Sequence, residues 1–353
     1  MFMNNKISYE AAGVDIDAAD ELKRGLAGTV SARGLAHCRP LNKLGAFASF
    51  VDLNISAYRD PVFVLKSEEP GSKQMLSMDN DRVEWIARDL INHLVNDIIV
   101  TGAIPCAVLD TVICGKINKD VLLRLINAIS EACAENDCVL VGGETSEQPG
   151  VLPAGRYILQ ASILGIAERD MLIDGSAVKS GDALLALASN GLHTNGYSLV
   201  RKLMEEKPAI CAETLCGVGF MDSILKPHTS YARAVAAVLA SRRADVRAMA
   251  HITGGGMRDN LIRVLPTGNL RAEIDLASIR PPKIFGLIKS YAGVDDAEML
   301  RTFNNGVGMI MVVDSQAADD IALILREAGT EAYRIGSIAR GTRDVAFHDA
   351  LVY

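Results

Sequence analysis

The chain has 353 residues, 49% of them apolar, which suffices for two domains with a substantial core in each and excludes disordered or fibrous classes. Its net charge of −7, with no basic run to track a phosphate backbone and only 5% aromatic residues, leaves nucleic acid unexpected as a partner. The opening Met1-Phe2-Met3-Asn4-Asn5-Lys6 is too polar for a secretory core, and no later apolar stretch approaches the ~18 residues that cross a bilayer, so a cytoplasmic protein with no membrane partner is expected. The seven cysteines include the pairs Cys133/Cys138 and Cys211/Cys216, each with four residues between, and read as reduced small hydrophobes rather than zinc ligands or disulfides.

In chain order, Pro61–Leu65 reads as a buried strand. A long helix opens at Val83, with apolar positions 83, 86, 90, 94 and 98 recurring every three or four residues. A strand near 106–109 is followed by a second amphipathic helix carrying Val121, Leu122, Leu125, Ile126, Ile129 and Cys133 on one face. Glu135-Asn136-Asp137 turns that helix into the strand 138–141, and a loop is expected from Gly142 to Gly150 before a long strand at 157–165. The second half starts with strand 183–188, continues through helices near 196–206 and 228–241, and closes with strand 308–313, a helix at 317–328 and strand 332–338, a βαβ-like end. The fold class is therefore α/β (α+β), two mixed domains, 1–167 and 168–353.

The usual nucleotide and hydrolase signatures are absent: nothing fits the phosphate-binding loop, the dinucleotide fingerprint, the zinc-protease helix or the nucleophile elbow. What remains is acids, amides and glycines at the ends of strands and helices. On the helix from Val83, Asp97 falls inside the apolar arc, so its carboxylate needs a cation, a capping donor or a cleft. Glu68-Glu69-Pro70-Gly71-Ser72-Lys73 can present carboxylate, backbone N–H and ammonium together, and Gly142-Gly143-Glu144 sits where a parallel sheet presents ligands. Glu68, Asp97 and Glu144 converging with Lys73 would suit Mg²⁺ and ATP, because hard oxygens hold the ion while the ammonium pairs with phosphate. In the second half, His193 is the best general acid or base by position, the glycines 254–256 precede a helix, and Asn304 can recognise an amide or hydroxyl. Each of these segments also has a plain structural reading: a capped acid, a surface turn, a hydrogen-bonded histidine, a left-handed glycine turn.

Taken in order, the segments Ser8 to Ala18, Val95-Asn96-Asp97, Gly142 to Gly150, His193 to Arg201, His251 to Gly256 and Arg301 to Met309 resemble the phosphoribosylformylglycinamidine cyclo-ligases of purine biosynthesis over nearly the whole chain. The resemblance implies a homodimer whose N-terminal sheets join in a shared barrel, with ATP and a phosphorylated ribosyl amidine in a cleft bounded by the C-terminal domain. It further implies an ATP-dependent ligase that phosphorylates the formyl amide oxygen of formylglycinamidine ribonucleotide and closes an imidazole ring. On matching positions, catalysis falls to Asp97, His193 and Lys73, and nucleotide contacts to Lys73, Asn96, Gly142, Gly143 and Thr145. Magnesium falls to Glu68, Asp97 and Glu144, and substrate contacts to His193, Asn195, Gly254, Gly255, Gly256 and Asn304.

Two segments depart from the family. Where it usually shows Asp-Gly-Val-Gly-Thr-Lys, this chain has Glu68-Glu69-Pro70-Gly71-Ser72-Lys73, and its glycine-rich run is reduced to Leu44-Gly45-Ala46-Phe47-Ala48-Ser49-Phe50. The alternatives are therefore a paralogue that activates or cyclises a different amide, and a non-catalytic scaffold or regulatory partner with the same fold.

Overall fold

The computed structural model describes residues 21, 24–25, 35–42 and 46–353; the motif at 8–18 and residues 44–45 of the glycine-poor run lie outside them. The first sheet is built from β3 (Pro61–Glu68), β4 (Ile104–Cys114), β5 (Val139–Glu147) and β6 (Tyr157–Glu168), in the order β3-β6-β4-β5, after a short ribbon of β1 (Cys38–Pro40) with β2 (Val51–Leu53). Only β4 and β5 run parallel, as the crossover through α3 (Lys119–Glu135) requires. Asn118 starts that helix by accepting the Val121 N–H.

One face of this sheet is covered by α2 (Val83–Ile99), which follows the short α1 (Lys73–Asp79). Ile86, Leu90, Ile91, Leu94 and Ile98 of α2 are fully buried, each worth about 1.5–3 kcal/mol of transfer free energy. On the other face Phe63, Leu65, Leu109 and Ile158 stand exposed.

The second sheet has six strands in the order β10-β12-β7-β13-β11-β14. These are β7 (Ala183–Ala188), β10 (Val246–His251), β11 (Leu270–Asp275), β12 (Val307–Val313), β13 (Ala332–Arg340) and β14 (Val345–His348), with β8 (Thr214–Leu215) and β9 (Val218–Gly219) forming a separate hairpin. β7 and β12 are continuous apolar runs because both faces are covered. Leu185, Leu187, Met309 and Met311 pack with α6 (Ala232–Arg242) and α10 (Ala318–Glu327), while Leu184, Ala186, Ile310 and Val312 pack with α7 (Gly256–Val264). The expected βαβ close is present: β12 and β13 both lie antiparallel to the intervening β7, hence parallel to each other, joined by α10. The remaining helices are α4 (Tyr197–Glu206), α5 (Phe220–Leu225), α8 (Lys283–Ala292) and α9 (Asp296–Thr302). Among the described residues, no helix is long and apolar enough to cross a membrane.

Two expectations are corrected. The segment from Gly142 is strand through Glu147, its ladder with β4 continuing from Leu109↔Gly142 to Cys114↔Glu147. The glycines serve close packing: a Cβ on Gly143 would lie 1.9 Å from Asp110 Oδ1, and one on Gly142 would lie 2.5 Å from Ser49 Oγ. The helix expected from 228 begins only at Ala232, because the main chain before it is bonded to side chains of α2.

Candidate active site at the domain junction

Asp89, Asn92, His93, Asn96 and Asp97 recur along α2 at helical spacing and occupy an arc of about 140° at 100° per residue, a polar stripe beside the helix's apolar face. This stripe faces the second domain. Asn92 Nδ2 donates to the His228 carbonyl at 2.6 Å, Asn96 Nδ2 donates to the Thr229 carbonyl at 2.8 Å, and Asn96 Oδ1 accepts the Tyr231 N–H at 3.0 Å. Asp89 Oδ1 accepts the His228 N–H at 2.8 Å and also the Lys73 ammonium at 2.7 Å. Residues 228–231 are thereby strapped to α2, and their side chains are held against it.

Two residues expected to contact nucleotide, Lys73 and Asn96, make protein contacts at this junction. Lys73 is fully buried; besides Asp89 its ammonium donates to the Lys226 carbonyl at 2.7 Å and lies 5.7 Å from the centre of the Tyr197 ring. Two of its three donors are thus used on protein oxygens. Burial pushes the Asp89 carboxyl up to about 6 against the pull of Lys73, and burial lowers the Lys73 ammonium against the pull of Asp89. Asn96 is likewise fully buried, with both ends of its amide used on the strap.

Four of the six histidines meet at this junction. His193 stacks on His228 with ring centres 3.9 Å apart, His228 Nε2 lies 2.9 Å from His251 Nε2, and His93 is edge-on to His251 at 5.2 Å. His251 Nδ1 lies 2.7 Å from Asp97 Oδ1, and Thr194 Oγ1 sits between His93 Nδ1 (3.1 Å) and His228 Nδ1 (3.4 Å). Burial, reinforced by neighbouring histidines, lowers His93 to about 4 and holds His193 and His228 well below the ordinary histidine range, so these rings are neutral at pH 7.

At the rim, Lys66 Nζ lies 2.8 Å from Glu68 Oε2 and 3.0 Å from Asp97 Oδ2, so the two carboxylates already clasp a cation. Burial pushes Asp97 up, but its bond to His251 and the charges of His251, His93 and Lys66 outweigh this and hold it well below the usual carboxylate range. The partner that its position on α2 demanded is therefore a histidine and a lysine.

Glu144 does not join this pair. The segment is a strand, so successive side chains alternate: Glu144 pairs with Thr111 on the exposed face, with Gly142 opposite Leu109, whereas Gly143 and Thr145 pair with the inward Asp110 and Val112. β5 is also three strands from β3, about 14 Å at roughly 4.8 Å per strand. The expected three-carboxylate cradle reduces, within one chain, to Glu68 and Asp97. In the second domain the structure brings Asn195 beside Gly254, whose added Cβ would lie 3.8 Å from Asn195 Oδ1. Gly255 and Gly256 have φ of +87° and +64° and lead into α7, where a Cβ on Gly256 would lie 1.8 Å from the Leu300 carbonyl. These two serve a tight turn, leaving Gly254 as the open member. Asn304 is bonded within the second half: its Oδ1 accepts from Ser189 Oγ (2.9 Å) and the Gly306 N–H (2.8 Å), and its Nδ2 donates to the Gly191 carbonyl (2.9 Å).

Sequence reasoning missed Asp89, His93, His228, Lys66 and Asp110. The first two were legible as polar residues spaced three or four apart on an apolar helix; His228 carries no local signal. Asp110 is buried on the inner face of β4 beside Gly143, and burial raises its carboxyl to about 7.

A two-domain mixed α/β fold with an acid- and histidine-lined junction is the class these features define. Solved structures share the fold. Thiamine-monophosphate kinase from Stenotrophomonas maltophilia K279a has a TM-score of 0.64 at 17% identity, covering 96% of this chain and 98% of that one. E. coli HypE has a TM-score of 0.67 at 15% identity and 94% coverage of each chain. A hydrogenase maturation protein HypE solved in complex with ATP has a TM-score of 0.63 at 18% identity, covering 97% and 92%. Residues 60–167 match the family model described as AIR synthase related protein, N-terminal domain, and residues 179–349 match the corresponding C-terminal domain. The chain belongs to this AIR synthase related family. Phosphoribosylformylglycinamidine cyclo-ligase of Neisseria meningitidis serogroup C (strain 053442) is 38% identical over 337 residues, 95% of this chain and 96% of the relative. The same-named protein of Polaromonas sp. (strain JS666 / ATCC BAA-500) is 38% identical over 339 residues, 95% of each.

Proposed function

We propose that the chain catalyses ATP-dependent closure of the imidazole ring of formylglycinamidine ribonucleotide, releasing ADP and phosphate. The observation that carries this reading is 38% identity maintained over 95% of the chain with proteins named for that reaction. The chemistry explains the use of ATP. An amide oxygen is a poor leaving group; once phosphorylated it departs as phosphate when the amidine nitrogen attacks the same carbon and loses its proton.

The residues fit Mg²⁺ at Glu68 and Asp97, which converge on the Lys66 ammonium as they would on an ion also bound by nucleotide phosphates. When bound there, the ion would spread the charge of the transferring phosphoryl group. His193, Asn195 and Gly254 line the substrate side in this reading, Lys73 and Asn96 hold the two halves together, Asn304 ties loops within the second half, and the domain boundary is placed at 167/168. A homodimer is supported by the apolar outer face of the first sheet, where Phe63, Leu65 and Leu109 stand 52%, 75% and 47% exposed. Glu144 and Gly142 face that same side.

The test is ADP release by purified protein with formylglycinamidine ribonucleotide and Mg²⁺. Sustained turnover is expected. ATP consumption with only some other amide would instead establish a paralogue, a reading favoured by the departure of Glu68-Glu69-Pro70-Gly71-Ser72-Lys73 from the family pattern.

A further inference from the structure

We propose that His193, His228 and His251 form a binding site for one divalent transition-metal ion of the zinc type, separate from the oxygen ligands that suit magnesium. One ligand atom from each of these side chains lies within 4.8 Å of the others, and all three residues are buried. The tetrahedral edge for Zn–N bonds of roughly 2.0–2.1 Å is about 3.3 Å, and the set closes when His193 turns out of its stack on His228 so that its ring plane points at the ion. Imidazole nitrogen suits zinc, cobalt, nickel and copper, whereas magnesium takes oxygen.

Three features separate this cluster from an ordinary group of buried histidines. Both ring nitrogens of His193 are buried and have no hydrogen-bond partner among the described residues. A buried polar group left unpaired is unfavourable, and an ion would satisfy one of these nitrogens. Second, His193 has φ of +60°, a left-handed conformation that a non-glycine residue keeps only when its surroundings impose it. Third, the outer nitrogens are already oriented. His251 Nδ1–H donates to Asp97 Oδ1 at 2.7 Å, which leaves Nε2 with its lone pair, the carboxylate–histidine arrangement of metal sites.

Proton placement then follows. Without an ion, His228 Nε2–H donates to His251 Nε2 across 2.9 Å. With an ion between them, the His228 proton sits on Nδ1, which donates a hydrogen bond to Thr194 Oγ1, and the Thr194 hydroxyl donates to neutral His93 Nδ1. No proton is lost overall. Three nitrogen ligands leave a fourth tetrahedral position for water or a ligand oxygen, and the partly exposed Asp97, Glu68 and Lys66 mark the side from which an ion can enter.

The site stands whether or not the ring-closing activity is found, since its test reads binding. Chelator-treated full-length protein in magnesium-containing buffer is titrated with Zn²⁺ and with Co²⁺. One equivalent per chain is expected, not displaced by excess Mg²⁺. His228→Gln and His251→Gln should each weaken binding by about 100-fold or more, and Asp97→Asn, acting through His251, by about 10–100-fold. His348→Gln, on an exposed histidine beside Glu273, should bind as wild type. Metal-free circular dichroism checks that each variant is folded. The wild-type Co²⁺ protein supplies a readout that needs no variant: exchangeable imidazole N–H protons shifted far outside the diamagnetic proton range. Absence of stoichiometric binding, absence of those shifted resonances, or wild-type affinity in both histidine variants would overturn the proposal.

Discussion

Replacing Asp89 by Asn would show what the Lys73–Asp89 pair does. Both side chains are fully buried, their charged atoms are 2.7 Å apart, and Asp89 also accepts the His228 N–H. Asparagine can still accept that N–H, so the perturbation leaves chiefly an ammonium in a dry junction without its counter-charge. Breaking a buried pair in this way costs about 3–5 kcal/mol. With a melting entropy of about 2.1 cal/mol/K per residue over 353 residues, a loss of about 4 kcal/mol lowers the melting temperature by roughly 5 °C. Adding Lys73→Met removes the stranded charge and should recover about 2 kcal/mol or more, although the Lys226 carbonyl then loses its donor. Urea unfolding of the wild type, both single variants and the double variant measures the coupling. A loss under about 1 kcal/mol in Asp89→Asn, or a double variant at the sum of the singles, would refute the assignment of Lys73 to the junction. A Lys73→Met protein of wild-type stability that had lost ATP affinity would return Lys73 to the phosphates.

Other outcomes follow from the same geometry. Gly143→Ala places a Cβ 1.9 Å from Asp110 Oδ1 and 2.6 Å from the Asp110 carbonyl oxygen and should cost about 1–3 kcal/mol in urea unfolding; Asp110→Ala in the same chain should return only the side-chain part, and a wild-type stability of Gly143→Ala would refute the close approach. The histidine cluster should make stability fall as pH is lowered from about 7.5 to 5. Burial holds His93 at about 4 when folded, against about 6.5 when unfolded, so between those values the unfolded chain binds more protons and the stabilisation present at higher pH is lost. His193 and His228 act in the same direction, whereas the raised carboxyls of Asp110 and Asp89 act in the opposite one, because there the folded chain binds more protons. His93→Gln should therefore make melting temperature fall less over this window than in the wild type; an unchanged pH profile would contradict the neutral cluster. Leu65→Glu, on the exposed face of β3, should halve the mass measured by light scattering while leaving circular dichroism unchanged; an unaltered mass would argue against pairing through this sheet.

Much of the scaffold was legible because its elements are long and strongly periodic. α2 starts at Val83, as its apolar spacing required, and the βαβ close appears with its helix breaking before Gly329. The segment at 142–147 misled because paired glycines suggest a loop, whereas here they let Asp110 and Ser49 approach a strand. That change of element split the candidate acids, since strand period two sends Glu144 to the face opposite Gly143. Asp97 was found from its position on α2, but the identities of its partners, Lys66 and His251, depend on how the two sheets meet. Lys73, Asn96 and Asn304 look like ligand-binding residues in one dimension. Their polar groups are instead used on Asp89, on residues 229–231 and on the Gly191 loop, contacts as distant as 135 residues along the chain.

The central claim is that a carbonyl oxygen is converted by phosphoryl transfer into a group that leaves. Formylglycinamidine ribonucleotide labelled with oxygen-18 in its formyl group tests this directly when incubated with the protein, unlabelled ATP and Mg²⁺. One labelled oxygen is expected in each inorganic phosphate released. Unlabelled phosphate formed alongside the ring-closed product would contradict it.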